Sequence, residues 1–184
     1  FAGVDGQHTG AGILAADRTA VSHLIAQGHR KIAVLGGATT SYPSRMRRLG
    51  AQDAMEDAGL TFDDRLYGLS NYDFESAYHA MNSLLARRAE FTALFAMSDV
   101  IAFGAIRALV SAGFRVPEDI SVIGFDGITM SRYCVPVMTT IVQPSEQIAL
   151  QSIELLVRQI EHGSPAQTVT LQPELQQGES VRAI

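Results

Sequence analysis

The chain has no tryptophan and only one cysteine, Cys134. A single thiol cannot form an intrachain disulfide, so packing must hold the fold, and the composition fits a reducing compartment such as the cytoplasm. No base neighbours Cys134 in sequence, and it reads as an inert thiol. No stretch reaches about 18 uncharged apolar residues, so no helical membrane span and no membrane partner are expected. A concentrated basic face is also missing. Lys and Arg number 14 against 19 Asp and Glu, for a net charge of -5. The Lys and Arg residues are scattered except for Arg45, Arg47, Arg48 and the pair Arg87/Arg88. Nucleic-acid-binding modules gather positive charge on one face, so any DNA contact is expected from residues outside this chain. The opening Phe1-Ala-Gly-Val-Asp5 is neither a signal peptide nor an initiator sequence and reads as a point inside a longer protein.

The usual catalytic and cofactor signatures are absent as well. Gly36-Gly37 lacks the Gly-Lys-Ser/Thr of a phosphate-gripping loop, no GxGxxG opens a helix, and no GxSxG elbow offers a serine nucleophile. The histidines at 8, 23, 29, 79 and 162 show no metal-binding spacing. His23 and His29 flank a helix end, where solvated or capping roles are expected. Asp99 and Asp126 follow separate strands without a flanking base or metal ligand. The sequence therefore points away from an enzyme, and no metal or cofactor is expected.

What remains is aliphatic and ordered. With 184 residues, 47% hydrophobic and 18% charged, the chain can bury one sizeable core or form two small lobes. No fixed-period repeat is present. Val21, Leu24 and Ile25 sit at helical spacing within 17–27, and Gly28 follows as the C-terminal glycine. Short apolar runs at 31–35, 66–70, 91–97, 120–125, 139–142 and 168–171 predict strands. Residues 45–58, 74–88 and the segment from Ser98-Asp99 to Gly113 predict helices. Pro144 opens another helix with the stripe Ala149, Ile153, Leu156 and Ile160. Alternating strands and helices imply parallel β-α-β units, and near-continuous apolar strands imply helices on both faces. The expected fold is an α/β three-layer α/β/α sandwich with a mostly parallel sheet.

In such sheets ligands bind beyond the carboxyl ends of the strands. Those positions carry Thr39, Thr40, Ser41 and then Arg47 after the first strand, and Ser70, Asn71, Tyr72 and Asp73 after the second. Ser98, Asp99, Asp126 and Gln143 follow the later strands. Carboxylates and a guanidinium suit paired hydroxyls, and Tyr72 offers a stacking face, so a small polar ligand fits. The same residue types also serve turns and helix caps, the latter especially for Ser98 and Asp99.

Val116-Pro-Glu-Asp-Ile-Ser-Val-Ile-Gly-Phe-Asp126 resembles the most recognisable stretch of LacI/GalR transcriptional regulators. Gly28-His-Arg-Lys-Ile32, Arg47-Arg-Leu-Gly50, Ser98-Asp-Val-Ile-Ala-Phe-Gly-Ala105, Pro136-Val-Met-Thr-Thr-Ile-Val-Gln143, Leu171-Gln-Pro-Glu-Leu175 and Gly178-Glu-Ser180 follow in the family's order. The resemblance implies two lobes hinged about an effector pocket, behind a DNA-binding headpiece that this chain lacks. On that pattern, 6–143 and 172–184 correspond to the C-terminal lobe. Residues 1–5 and 144–171 correspond to parts of the N-terminal lobe, which leaves the 144–171 stripe short of packing partners. Arg47 matches the family's effector-binding arginine and Asp126 its aspartate. Tyr72 sits at a frequent stacking position and Ser98 at an effector-contacting asparagine, with Gln143 and Ser41 as further candidates. Gly127 and Gly178 depart from the pattern, and the stretch from Asp5 to His23 is longer than usual. The implied function is cytoplasmic transcription regulation by a homodimer, in which a small effector, sugar or nucleobase-like, modulates operator binding. The alternatives are a periplasmic sugar-binding protein of a transporter and a nucleotide-binding or catalytic α/β enzyme.

Overall fold

The computed structural model describes residues 17–38, 40–162, 169 and 171–184. Its apolar runs form the strands β1 (Ile32–Gly36), β2 (Tyr67–Leu69), β3 (Ala93–Ala96), β4 (Ser121–Asp126) and β5 (Thr139–Val142), with β6 (Glu174–Gln176) last in the chain. They build one sheet in the order β2-β1-β3-β4-β5-β6. Every pairing is parallel except β5 with β6. All residues of β1 and β3 are buried, as strands covered on both faces require.

Helix α1 covers 17–26. It is followed by α2 (Tyr42–Asp57), α3 (Phe74–Ala86), α4 (Asp99–Ser111) and α5 (Ser145–His162). Right-handed crossovers decide their layers. From β1 the chain steps one way to β2, then the other way to β3 and β4. This places α2 on one face and α3 and α4 on the opposite face. Arg18 of α1 pairs with Asp57 at the end of α2, joining those two helices. On the other side α3 and α4 pack closely because Gly104 has no side chain: a Cβ there would strike the Phe74 carbonyl oxygen and the Ala77 methyl group. Gly104→Ala is therefore expected to cost about 2 kcal/mol. Urea unfolding would read this as a lower midpoint at unchanged slope; an unaltered midpoint would mean that the helices part freely.

The three-layer expectation holds, and most elements fall within a few residues of their predicted places. Helix α2 starts at Tyr42, three residues before the predicted 45, since Pro43 fits the first turn and fixes its φ. The strand expected at 168–171 lies largely outside the described residues, and its described positions, 169 and 171, are not strand. The sheet is closed instead by β6. Beyond β6 the tail is stitched to the core: Val122 N–H donates to the Ser180 carbonyl (2.7 Å), and the Ser180 hydroxyl donates to the Val122 carbonyl (2.6 Å). His29 is not solvated, as its flanking position suggested. It is buried, with Nδ1 2.9 Å from the Thr92 hydroxyl and Nε2 3.1 Å from the Arg182 carbonyl.

Helix α5 stands apart. None of its residues is buried, and Ile153, Leu156 and Ile160 of the predicted stripe are exposed among the described residues. No helix among the described residues is long and apolar enough to cross a membrane.

Candidate ligand-binding site

A parallel sheet directs every strand-to-helix turn of one sense toward its carboxyl edge, where free N–H groups and turn side chains collect. Arg47 comes to this edge from the second turn of α2. Its guanidinium donates to the Met97 carbonyl at the end of β3, stacks 4.0 Å from the centre of the Phe125 ring, and lies 3.6 Å from Asp126 Oδ1. Only 12% of the Arg47 side chain is exposed. Its Nε is buried and has no hydrogen-bond partner.

Asp126 ends β4 with φ at 111°, a left-handed value that β-branched or bulky residues avoid and aspartate tolerates. Gln143, just after β5, donates from Nε2 to Asp126 Oδ1 at 2.6 Å, and its backbone N–H donates to the Asp126 carbonyl at 3.1 Å. Burial pushes the Asp126 carboxyl above its ordinary range, and the Arg47 charge opposes this. Three of the six predicted residues, Arg47, Asp126 and Gln143, are thus drawn into one contiguous group.

Tyr72 lies along the same edge, in the turn between β2 and α3, with φ at 60°. Its hydroxyl is 2.9 Å from the Ser44 Oγ of α2. Its ring covers Gly37, where a Cβ would overlap the ring. Tyr72 is thus anchored through its hydroxyl while remaining 36% exposed. Ser41 and Ser98 are placed differently. Ser41 is the exposed N-cap residue of α2 and makes no side-chain cap bond. Ser98 is buried and its hydroxyl accepts from Ile101 N–H at 3.1 Å, so it is committed to capping α4.

Sequence reasoning placed Asp99 at this edge chiefly as a capping residue and missed other participants. Asp99 is more than a cap: it is wholly buried, accepts from the Thr140 hydroxyl at 2.6 Å, and accepts from Ile128 N–H at 2.8 Å. Burial raises its pKa to about 6. Gly124 leaves room for it, since a Cβ there would overlap Asp99 Oδ1. Ser44 and Phe125 read as ordinary helix and strand residues. Asp17, in α1, is fully buried and lies in the electrostatic field of Arg47 and Asp126. No pattern in the sequence singles it out.

Beside the charged group lies an open depression of about 780 Å³. The β4–β5 loop and the first turn of α5 line it, through Asp126, Gly127, Thr129, Gln143, Ser145 and Gln147 among others. The arrangement offers a cation, carboxylates, an amide and an aromatic face along one edge. Those groups hold polar, hydroxylated or flat molecules by directional hydrogen bonds and stacking. Asp126 is held by Gln143 and faces Arg47, and no nucleophile–base pair stands among the three.

Comparison with known proteins follows the same geometry. The model of the periplasmic binding protein-like domain matches residues 21–181. The HTH-type transcriptional repressor PurR of Haemophilus influenzae is 38% identical over 169 residues, covering 90% of this chain and 50% of that protein. PurR of Pasteurella multocida is 36% identical over 165 residues, covering 89% and 49%. The chain spans about half the length of these curated relatives. Among solved structures, a sugar-binding LacI-family regulator from Escherichia coli, complexed with phosphate, superimposes with a TM-score of 0.87 at 32% identity, over 94% of this chain and 62% of that one. The transcriptional regulator CelR in complex with cellobiose gives 0.87 at 32% identity, over 91% and 52%. A LacI-family regulator from Enterococcus faecium with bound ribose gives 0.83 at 27%, over 94% and 64%.

Proposed function

Because the chain belongs to the periplasmic binding protein-like domain family, we propose that it is the effector-sensing part of a LacI-type transcriptional regulator and that it carries out no catalysis. One observation carries this reading above the others. The half-buried Arg47–Asp126 pair, tied to Gln143, sits at the carboxyl edge of the sheet, and Asp126 and Gln143 open onto the depression. On this reading residues 6–143 and 172–184 make up one lobe of the sensor, and the exposed apolar stripe of α5 belongs against the other lobe. The regulators that the chain is similar to favour this over a transporter's binding protein.

The effector is a small polar molecule. Relatives that hold cellobiose or ribose favour a sugar, while Tyr72 with Arg47 also suits a flat nucleobase. It binds between the lobes and prefers one angle between them. A ligand shifts such a balance only by its differential affinity for the two states. In a homodimer that angle sets the spacing of two headpieces on operator half-sites about one helical turn apart.

The test is a thermal-shift screen of sugars and nucleobases on the whole gene product, since a bound ligand raises stability by mass action. A hit is expected to lose about 100-fold in affinity on Asp126→Asn, with the fold intact by circular dichroism. Turnover of a compound that is lost on the same change would replace the sensor with an enzyme. Specific retardation of an operator duplex is expected from the whole product and not from these 184 residues; retardation by the 184 residues alone at physiological salt would contradict it.

A further inference from the structure

We propose that Ser44 is a positioning residue of this site: with the space left by Gly37, its hydroxyl pins the Tyr72 ring as a fixed platform for a flat face of the effector. The inference rests on the reading of this edge as an effector site and adds to it a residue and a ligand shape. Ser44 stands in the first turn of α2 and is fully buried. Its Oγ lies 2.9 Å from the Tyr72 hydroxyl, which reaches it from the turn between β2 and α3. Gly37, the residue after β1, lies against both groups. A Cβ there would overlap the Tyr72 ring and lie 2.8 Å from Ser44 Oγ. Three separate segments thus make one socket for a single ring.

The Tyr72 backbone is held as firmly as its ring. Its φ of 60° is an outlier for a bulky residue, and such strain persists only where the surroundings fix it. On one side Ser70 N–H donates to the Gly36 carbonyl at 2.7 Å. On the other, Asn71 N–H donates to Ser76 Oγ at 2.9 Å, and Asp73 caps α3 by accepting from Ser76 N–H at 2.7 Å. A tyrosine that served only to fill the core would be buried, yet Tyr72 stays exposed. A strained, exposed ring tied to a buried hydroxyl is preorganised: its orientation is settled before a ligand arrives, which removes an ordering cost from binding. The ring stands at the β2 end of the edge, and Arg47 reaches the end of β3. Strand β1 lies between them and ends in Gly36-Gly37, which carry no side chains. A ligand that lies on Tyr72 and bonds toward Arg47 needs a flat face with a polar rim. The C–H face of a cyclic sugar and the plane of a nucleobase both supply one. An open-chain polyol has the polar groups without the face.

The whole gene product, its Ser44→Ala, Tyr72→Phe and Tyr72→Ala variants, and the double variant Ser44→Ala with Tyr72→Phe would be tested by thermal shift and titration calorimetry. The probes are ribose, cellobiose, guanine and, as a control without a ring, sorbitol. Wild type is expected to bind a cyclic sugar or guanine about tenfold or more tighter than sorbitol; the arm that responds tells a sugar face from a nucleobase. Tyr72→Phe keeps the ring and loses only the pin, so it and Ser44→Ala are each expected to weaken binding about fivefold. The double variant is expected to weaken it no further than the single changes do, because both remove the same bond. Tyr72→Ala removes the platform and is expected to weaken binding about 30-fold or more. A Ser44 that only packs α2 would lower the melting temperature of Ser44→Ala and leave affinity unchanged. That result, losses that multiply in the double variant, or sorbitol bound as tightly as the ring compounds overturns the assignment and leaves the effector site standing. Wild type that binds none of the four overturns the effector reading and this inference with it.

Discussion

Arg47→Ala is expected to lower stability by about 3–5 kcal/mol and to abolish effector binding. Three contacts converge on this one side chain. It donates to the Met97 carbonyl, stacks on Phe125 and faces Asp126 across 3.6 Å. The pair is largely shielded, with 12% of Arg47 and 30% of Asp126 exposed, so solvent screening removes little of the interaction. Deleting the guanidinium leaves the largely shielded Asp126 carboxylate without its cation. Most of the loss comes from that abandoned charge rather than from the net worth of the pair. Arg47→Lys should recover only part of it, because an ammonium cannot lie flat on Phe125 while also reaching Met97 and Asp126. Denaturant unfolding of the single variants and of Arg47→Met with Asp126→Leu gives the check. The double variant should lose clearly less than the sum of the two single losses. Strict additivity would mean that Arg47 and Asp126 do not act as a unit.

Asp126 was legible because strand ends are legible, whereas Arg47, in the second turn of α2, was singled out by the family resemblance. Uniformly apolar runs such as Ile32–Gly36 and Ser121–Asp126 admit few other readings. Whatever polar residue ends such a run in a parallel sheet must sit at its carboxyl edge. Gln143 and Tyr72 followed from the same rule. The rule gives position and not commitment, which is why Ser98 proved to be spent on capping Ile101 N–H. Strand β6 was not legible, since Glu174–Gln176 is short, partly polar and held by pairing with β5 rather than by its own pattern. His29 was misjudged for a related reason. Its burial depends on the returning C-terminal tail, whose Arg182 carbonyl contacts it from 153 positions away. Asp17 is the clearest case. An aspartate in a helix is an ordinary solvent-facing residue, and only the folded chain shows this one buried without a partner.

Asp99 carries the second large effect, and it is a positioning residue. It joins α4, where it stands in the first turn, to β5 through Thr140 and to the loop after Asp126 through Ile128 N–H. Asp99→Ala would leave a buried hydroxyl and a backbone N–H without their acceptor, an expected cost of about 3 kcal/mol. It would also loosen the turn that presents Asp126. Asp99→Asn keeps an acceptor for Ile128, and the Thr140 hydroxyl can rotate to accept from the new amide. That variant should be close to wild type at neutral pH and differ mainly in its response to pH. Burial raises the Asp99 pKa from 3.8 to about 6, against the opposing hydrogen bonds from Thr140 and Ile128. A folded pKa above the unfolded one means that the folded state holds the proton longer. The associated stability is fully present below about pH 4 and lost as pH rises through about 6, in total about 2–3 kcal/mol. Other groups titrate elsewhere or with the opposite sign. Asp119, held down to about 2 mainly by its hydrogen bond from Arg115, loses its contribution as pH falls below about 4. His23 and His29, lowered by burial, lose theirs as pH falls below about 6.5. The difference between wild type and Asp99→Asn removes these shared contributions. Measured by denaturant unfolding, wild-type stability relative to the variant should fall by about 2 kcal/mol between about pH 4 and 7. Parallel profiles across that interval would show that Asp99 does not change its protonation between the folded and unfolded chain, and that its hydrogen bonds alone hold the turn before Ile128.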